Sequence, residues 1–520
     1  MKTLFINSKV WLKDFDFAES IGIDSESGKI IFIGKNIDAN KKKFYEVIDT
    51  GNKLILPAFT DGHMHFIRGS LIRNEIDLTA ASSLNDFENR FQTYRKNFKN
   101  ARWITGGYFT ETNFKENFII DRNLLDKICP DIPVAISRID LHSFVVNSLV
   151  IEISGIKQMI GKFGDDEIIC DLNGNLTGEF KERAMYYILE RIPKKTEFEI
   201  EEAVLNETER LFSFGIVSIS DIFWKEYFDT YKNLLANKKL KLNTNAIIPL
   251  EDFFDFEKYK NEFSEYERNF KIKSFKSFYD GSLSSETAYF ENNYIGKNHN
   301  GLRTESVNSG EFNKLAFEAD KAGFQNAVHA IGDKAVNELL NFIELLNNKN
   351  GIKDRRFRIE HAQHIKKTDI PRFKKFNVVS SVQPSHLYVD AKTAGEKLYE
   401  TGTTHIYKLL IEDGAKVCFG TDFPVASENP FETIYYAMTR EAKGFPDGFQ
   451  TEYCLDLISC LKAYTINNAY ASFEENLRGS LESGKFADII IMKNNLFETE
   501  KKDIKYAGVG MSYLNGKRVY

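Results

Sequence analysis

A chain of 520 residues, 42% hydrophobic and 28% charged, has room for one large catalytic domain and a smaller partner, and its composition excludes both disorder and a membrane-embedded protein. A net charge of -6 supplies no basic field to draw a phosphate backbone, so nucleic acid is excluded as an electrostatic partner and a small molecule is the expected one. Five cysteines, Cys129, Cys170, Cys418, Cys454 and Cys460, are odd in number and lack CxxC spacing, which excludes a disulfide framework and a thiolate metal site.

The first dozen residues, MKTLFINSKVWL, turn polar early and carry no long apolar segment with a small-residue cleavage site. The expectation is a cytoplasmic protein, and no window approaches the run of roughly 18 apolar residues that a spanning helix needs. Residues 1–56 read as short strands broken by turns: TLFINSKVWL, ESIGIDSESGKIIFIG and YEVIDTGNKLILP. From about 57 to 475, apolar β-branched runs alternate with amphipathic stretches, which predicts a parallel sheet wrapped by helices, an α/β (β/α)8 TIM barrel. The runs are PVAISRID, GIVSISD, NTNAIIPL, KIKSFKSF, FQNAVHA, RFRIEHA, VVSSVQP and AKVCFGTD. Residues about 70–130, with SSLNDFENRFQTYRKNFKN and WITGGYFTETNF, exceed one βα unit and read as an inserted lobe. Strand rhythm returns over 476–520 in GSLESGKFADIIIMK and YAGVGMSYLNGKRVY, so both ends are expected to build one small β-sandwich. Nothing in the chain sets its oligomeric state, and a homo-oligomer is compatible with it.

Chemistry gathers at strand ends. In DGHMH, directly after KLILPAF, His63 and His65 are two apart, so on a strand both imidazoles point to one side and can share a metal. His329 in FQNAVHAIGD, His361 in FRIEHAQHI and Asp422 in AKVCFGTDFPV each close a β-like run, where barrel enzymes carry their catalytic groups. Lys276 in KIKSFKSFYDG is the fifth signal. An ammonium has no lone pair, but the carbamate formed with carbon dioxide has two oxygens and can bridge metals about 3.5–4 Å apart. An ion pair of Lys276 with Asp280, or a role for Lys273 in its place, are the competing readings.

In series, LPAFTDGHMH, FKSFYDGSLSSETA, VHAIGDKAV, RIEHAQHI, FGTDFPV, AYTINNAYASF and GSLESGKFADIIIM resemble the metal-dependent amidohydrolase superfamily, in the branch of the YtcJ-like proteins and N-substituted formamide deformylase. The resemblance spans nearly the whole chain. It implies one or two divalent ions, zinc by expectation, with His63 and His65 on the more buried metal, carbamylated Lys276 as a bridge and His329 and His361 on the second metal. Asp422 would bind the buried metal and act as general base, and His142 in RIDLHSFVVNS would polarise the substrate carbonyl or steady the tetrahedral oxyanion. His299, His364 and His405 receive no role, and His386 is expected at most along the pocket wall. Ala58, Leu141, Ser284 and Glu286 depart from the family's usual glycine, glycine, glycine and arginine, and a glutamate in place of a cation alters which charged groups a pocket accepts.

The implied reaction is hydrolysis of a non-peptide, amide-type carbon–nitrogen bond by a metal-activated water. Deamination, or cleavage of an ester or lactone, is the alternative on the same site. A non-catalytic binding protein on this scaffold is the alternative of another class.

Overall fold

Eight parallel strands make the central sheet: β1 (Phe59–Met64), β2 (Ile216–Ile222), β3 (Asn243–Pro249), β4 (Phe270–Phe278), β5 (Gln325–Ala330), β6 (Arg358–His361), β7 (Val379–Val382) and β8 (Lys416–Phe419), hydrogen-bonded in that order. The coordinates are a computed structural model that describes residues 1–116, 118–138, 142–164 and 166–520. The sheet closes on itself just past β8, where the Asp422 amide donates to the His63 carbonyl at 2.7 Å and the His65 amide to the Phe423 carbonyl at 2.9 Å. A parallel sheet covered by helices buries both faces of its strands, and accordingly every residue of β1, β2, β6 and β7 is buried. The covering helices show the matching period. In Asp333–Asn350 the buried residues Ala335, Val336, Leu339, Leu340, Phe342, Ile343 and Leu346 recur every three or four positions.

Seven of the eight barrel runs read from the sequence are barrel strands. PVAISRID is not: Val134–Arg138 lies in another sheet, and the eighth barrel strand is β1, which carries the DGHMH motif. Val134–Arg138 pairs antiparallel with Ser143–Val146, which begins five residues on in the sequence, whereas a parallel neighbour needs a long crossover.

The chain forms two compact units, Met1–Phe66 with Leu205–Tyr520, and Ile67–Val204. In the first, the two ends of the chain share a sheet: Leu54–Pro57 pairs antiparallel with Ile489–Met492, which pairs with Val509–Leu514. A second, four-stranded sheet from residues 2–49 packs over it through Phe5, Ile21, Ile23 and Ile30 against Ile55, Ile489, Ile491 and Tyr513, the β-sandwich expected from the terminal strand rhythm. The unit Ile67–Val204 extends well past the stretch of about 70–130 and has a six-stranded sheet of its own. Alternation along its strands sends Val134, Ile136 and Val145 into one apolar cluster and Ala135, Phe144 and Val146 into another, so each face of that sheet carries a core. Among the described residues, no helix is long and apolar enough to cross a membrane.

Candidate metal centre

The closure of the barrel delivers the strand-end residues to one place. His63, His65, Lys276, His329, His361 and Asp422 all line a single cavity of about 310 Å³. They come from the ends of β1, β4, β5 and β6 and from the segment following β8, the carboxyl-terminal rim of the barrel. His63, His361 and Asp422 offer ligand atoms that all lie within 4.8 Å of one another. Asp422 Oδ1 stands 3.4 Å from His63 Nε2 and 3.2 Å from His65 Nε2. The ring centroids of His329 and His361 are 4.4 Å apart, and those of His63 and His361 are 5.0 Å apart. His361 and Asp422 both adopt left-handed backbone, φ 73° and 58°, a strained geometry for side-chain-bearing residues of the kind that gathers at functional sites.

Each imidazole is anchored through one ring nitrogen. His63 Nδ1 meets Glu360 Oε2 at 2.5 Å, His65 Nδ1 accepts from Trp224 Nε1 at 3.2 Å, and His361 Nδ1 meets Gln383 Oε1 at 2.9 Å. His329 uses its other nitrogen, with Nε2 3.0 Å from the Gly281 carbonyl. A proton on one nitrogen bonded to an oxygen acceptor leaves the other nitrogen's lone pair for a cation, which is how metal-binding histidines are oriented. His63, His329 and His361 have such partners, whereas His65 accepts at Nδ1 and in this arrangement carries its neutral-form proton on Nε2. Burial lowers the pKa of His65 and His361, and that of His329 to about 3, which keeps these three rings in the neutral form that binds cations. For His63 burial acts in the same direction, but the Glu360 and Asp422 carboxylates together outweigh it and raise the pKa. Burial alone would raise the Asp422 carboxyl, and His63 and His65 overcome it and hold the group well below the usual carboxylate range.

Burial separates the two candidates among the three lysines of β4. Lys273 is exposed, whereas Lys276 is 3% exposed, lines the cavity, and has no hydrogen-bond partner for its Nζ among the described residues. Asp280 is committed elsewhere: its carboxylate accepts from the amides of Tyr289, Ile331 and Gly332 at 2.8–3.0 Å. The reading of Lys276 as a simple partner of Asp280 therefore has no hydrogen bond to stand on.

His142 belongs to the unit Ile67–Val204, where its largely exposed ring places Nδ1 3.0 Å from Glu182 Oε1. Leu141 lies outside the described residues. Ser284 lines the cavity, but Glu286 pairs with Lys397 at 3.0 Å instead of facing in. His386 is on the cavity wall, as expected.

Several buried partners escaped the reading of the chain. Arg358 and Glu360, both fully buried, form a two-point pair with Nε–Oε1 2.6 Å and Nη2–Oε2 3.2 Å, and Arg358 Nη2 also donates to the Gly62 carbonyl at 2.7 Å. The signal was present in RFRIEH, where charges sit two apart inside an apolar strand. Asp61 Oδ1 accepts from the amides of His63 and Thr421 at 3.0 and 3.1 Å, and Oδ2 from the Thr421 hydroxyl at 2.6 Å, tying β1 to the segment that bears Asp422. Gly420 permits that close approach, since a Cβ there would stand 2.4 Å from the His63 nitrogen.

Four anchored imidazoles and a carboxylate, beside a buried lysine with no hydrogen-bond partner among the described residues, are a nitrogen and oxygen donor set that fits one or two divalent cations. The chain is 29% identical to LONG AFTER FAR-RED 3 of Arabidopsis thaliana over 99% of its own length and 91% of that protein's. It is 25% identical to YtcJ of Bacillus subtilis strain 168, with 91% and 90% covered, and 21% identical to the N-substituted formamide deformylase of Arthrobacter pascens, with 99% and 97% covered. In fold it is similar to a crystal structure of an uncharacterized metal-dependent hydrolase from Pyrococcus furiosus, with TM-score 0.76, 23% identity and 95% and 99% of the two chains covered. The amidohydrolase family model matches residues 46–520, from the last strand of the four-stranded terminal sheet through the whole barrel to the end of the chain. By that match, and with the ligand-type side chains assembled at one rim of the barrel, the chain belongs to the amidohydrolase family.

Proposed function

We propose that this protein is a hydrolase that cleaves an amide-type, non-peptide carbon–nitrogen bond of a small molecule with water and a divalent metal, zinc being the expected ion. The observation that carries the reading is the meeting of His63, His65, Lys276, His329, His361 and Asp422 in one cavity. His63, His65 and Asp422 would hold one cation, His329 and His361 a second, and Lys276 would be shared between them. A cation bound there supplies the positive charge that brings the pKa of a water from about 15.7 toward roughly 7.

The chain's own groups do the remaining work. Burial lowers the Lys276 ammonium to about 8, so a free-amine fraction is within reach near neutral pH. Its lone pair forms a bond to the carbon of carbon dioxide, a proton leaves, and the product carries one negative charge on two oxygens. Asp422 takes a proton from the attacking water and returns it to the leaving nitrogen as the carbon–nitrogen bond breaks.

The 21% identity to a formamide deformylase makes N-substituted formamides the first compounds to try. The test combines metal analysis of the purified protein with a panel of formamides, N-acyl amines, cyclic amides, lactones and aminopurines. Tightly bound metal and chelator-sensitive amide hydrolysis support the reading. Turnover of lactones or aminopurines alone reassigns the bond, and fewer than about one metal per chain with no turnover overturns the hydrolase.

A further inference from the structure

His386 ends the short helical turn Pro384–His386 that follows β7 and lines the same cavity as the metal-type residues, yet nothing in the proposed chemistry uses it. Its ring lies nearly parallel to that of His361, 20° between planes and 6.4 Å between centroids. Gln363, another residue of the cavity wall, places its Nε2 3.4 Å from His386 Nδ1. With the Gln363 amide donating, Nδ1 is the acceptor and the neutral ring carries its proton on Nε2. That Nε2 is shut off from water and has no hydrogen-bond partner among the described residues. Asp390, one helical turn on, has its Oδ2 occupied by His405 Nε2 at 3.3 Å. An unpaired buried donor weakens a fold, and the exceptions that persist call for an explanation. A donor whose acceptor arrives with the substrate is such an explanation.

We propose that His386 is a substrate-binding residue, its Nε2–H donating to the carbonyl oxygen of the amide and to the same oxygen as it gains negative charge on addition of water. The chemistry selects that atom: the nitrogen of an amide offers no good lone pair, and its carbonyl oxygen is the acceptor that a neutral imidazole N–H can serve. The inference rests on the amide reading for the identity of the substrate and goes beyond it by assigning a charge-stabilising donor from within the unit that holds the metal-type residues.

The experiment uses the zinc-loaded full-length protein and N-butyl methylphosphonamidate, a tetrahedral anion shaped like the water adduct of an N-butyl amide, with binding read by calorimetry and zinc content measured for each variant. His386→Phe keeps a ring and removes the donor, and is expected to weaken binding roughly tenfold or more. His386→Asn restores a side-chain N–H and is expected to recover a substantial part of that loss, with zinc content equal in all three proteins. In turnover of N-butylformamide the loss falls on kcat more than on KM. Binding by the Phe variant within about twofold of wild type, an Asn variant no better than Phe, loss of zinc from both variants, or no binding by the wild type overturns the proposal. Should the Phe variant fail to fold, Gln363→Leu, which lets the proton move to Nδ1, must weaken the same binding, and unchanged binding overturns it. A wild type that binds the phosphonamidate through His386 but hydrolyses no amide sinks the amide reading and, with it, the amide as the substrate served, and leaves His386 as the donor to a tetrahedral oxyanion.

Discussion

His63 Nδ1 and Glu360 Oε2 stand 2.5 Å apart inside the barrel, both essentially inaccessible to solvent, with Arg358 bound to the far side of the carboxylate. The pair is a device for aiming one imidazole. Burial would raise the Glu360 carboxyl, but Arg358 and His63 outweigh it and hold the group well below its ordinary range, so the anion that orients His63 persists. Glu360→Ala removes the anchor and strands the Arg358 charge, an arrangement that costs about 3–5 kcal/mol in buried pairs. Metal retention should fall roughly 10–100-fold, and Glu360→Gln, which keeps an acceptor, should fall less. Dialysis against a buffered free-zinc series followed by metal analysis checks this, and unchanged retention in the Ala variant would count against the anchor.

The seam of the barrel depends on Gly420. An added Cβ would meet the His63 nitrogen at 2.4 Å and its Cβ at 2.7 Å, distances that force backbone apart. Gly420→Ala is expected to cost about 1–3 kcal/mol and to lower the melting temperature, with metal retention falling alongside because the same displacement moves His63 away from Asp422. A variant of wild-type stability and wild-type metal content would show that the seam is looser than the geometry states.

Asp280 holds the loop after β4 to the loop after β5 through three backbone amides. Asp280→Asn leaves at least one of those donors without a good acceptor, for a loss of about 1–3 kcal/mol in denaturant unfolding. Burial raises the Asp280 carboxyl to about 7 in the folded protein against an ordinary value near 3.8. A folded-state pKa raised in this way makes a contribution that is full below 3.8 and is lost as the pH rises through 7. The stability advantage of the wild type over the Asn variant should therefore shrink between about pH 5 and about pH 7.5, and an advantage that grows over that interval would contradict the assignment.

Asp422 is the proton carrier of the proposed reaction. Asp422→Asn keeps an oxygen at the cation site and loses the exchangeable proton, so turnover should fall at least about a hundredfold while metal content stays nearly unchanged. Turnover at the wild-type rate would remove Asp422 from the chemistry.

The legible part of this protein was the part written in strand ends. His63 and His65 could be read together because two residues along a strand is one side, and His329, His361 and Asp422 because each closes an apolar run. Periodicity cannot say to which sheet a run belongs, so Val134–Arg138 passes for a barrel strand while β1, legible as a strand, is missing from the eight barrel runs. Nor can it choose between Lys273 and Lys276, a choice made in the folded strand, where Lys273 is exposed and Lys276 is buried. The roles of Asp61 and Trp224, and the pairing of Glu360 with His63, were illegible for another reason. Their partners are distant in sequence, as with Glu360 and His63, or come together only when the barrel closes, as with Asp61 and Thr421.

The central claim is that six side chains from His63 to Asp422 hold shared cations. An anomalous-difference map from crystals of the zinc-loaded protein, collected on either side of the zinc absorption edge, tests it most directly. The account predicts one or two peaks bounded by His63, His65, Lys276, His329, His361 and Asp422, with density for a carboxyl group bonded through its carbon to Lys276 Nζ if it bridges them. A map with no peak there, or with zinc held only by other residues, would contradict it.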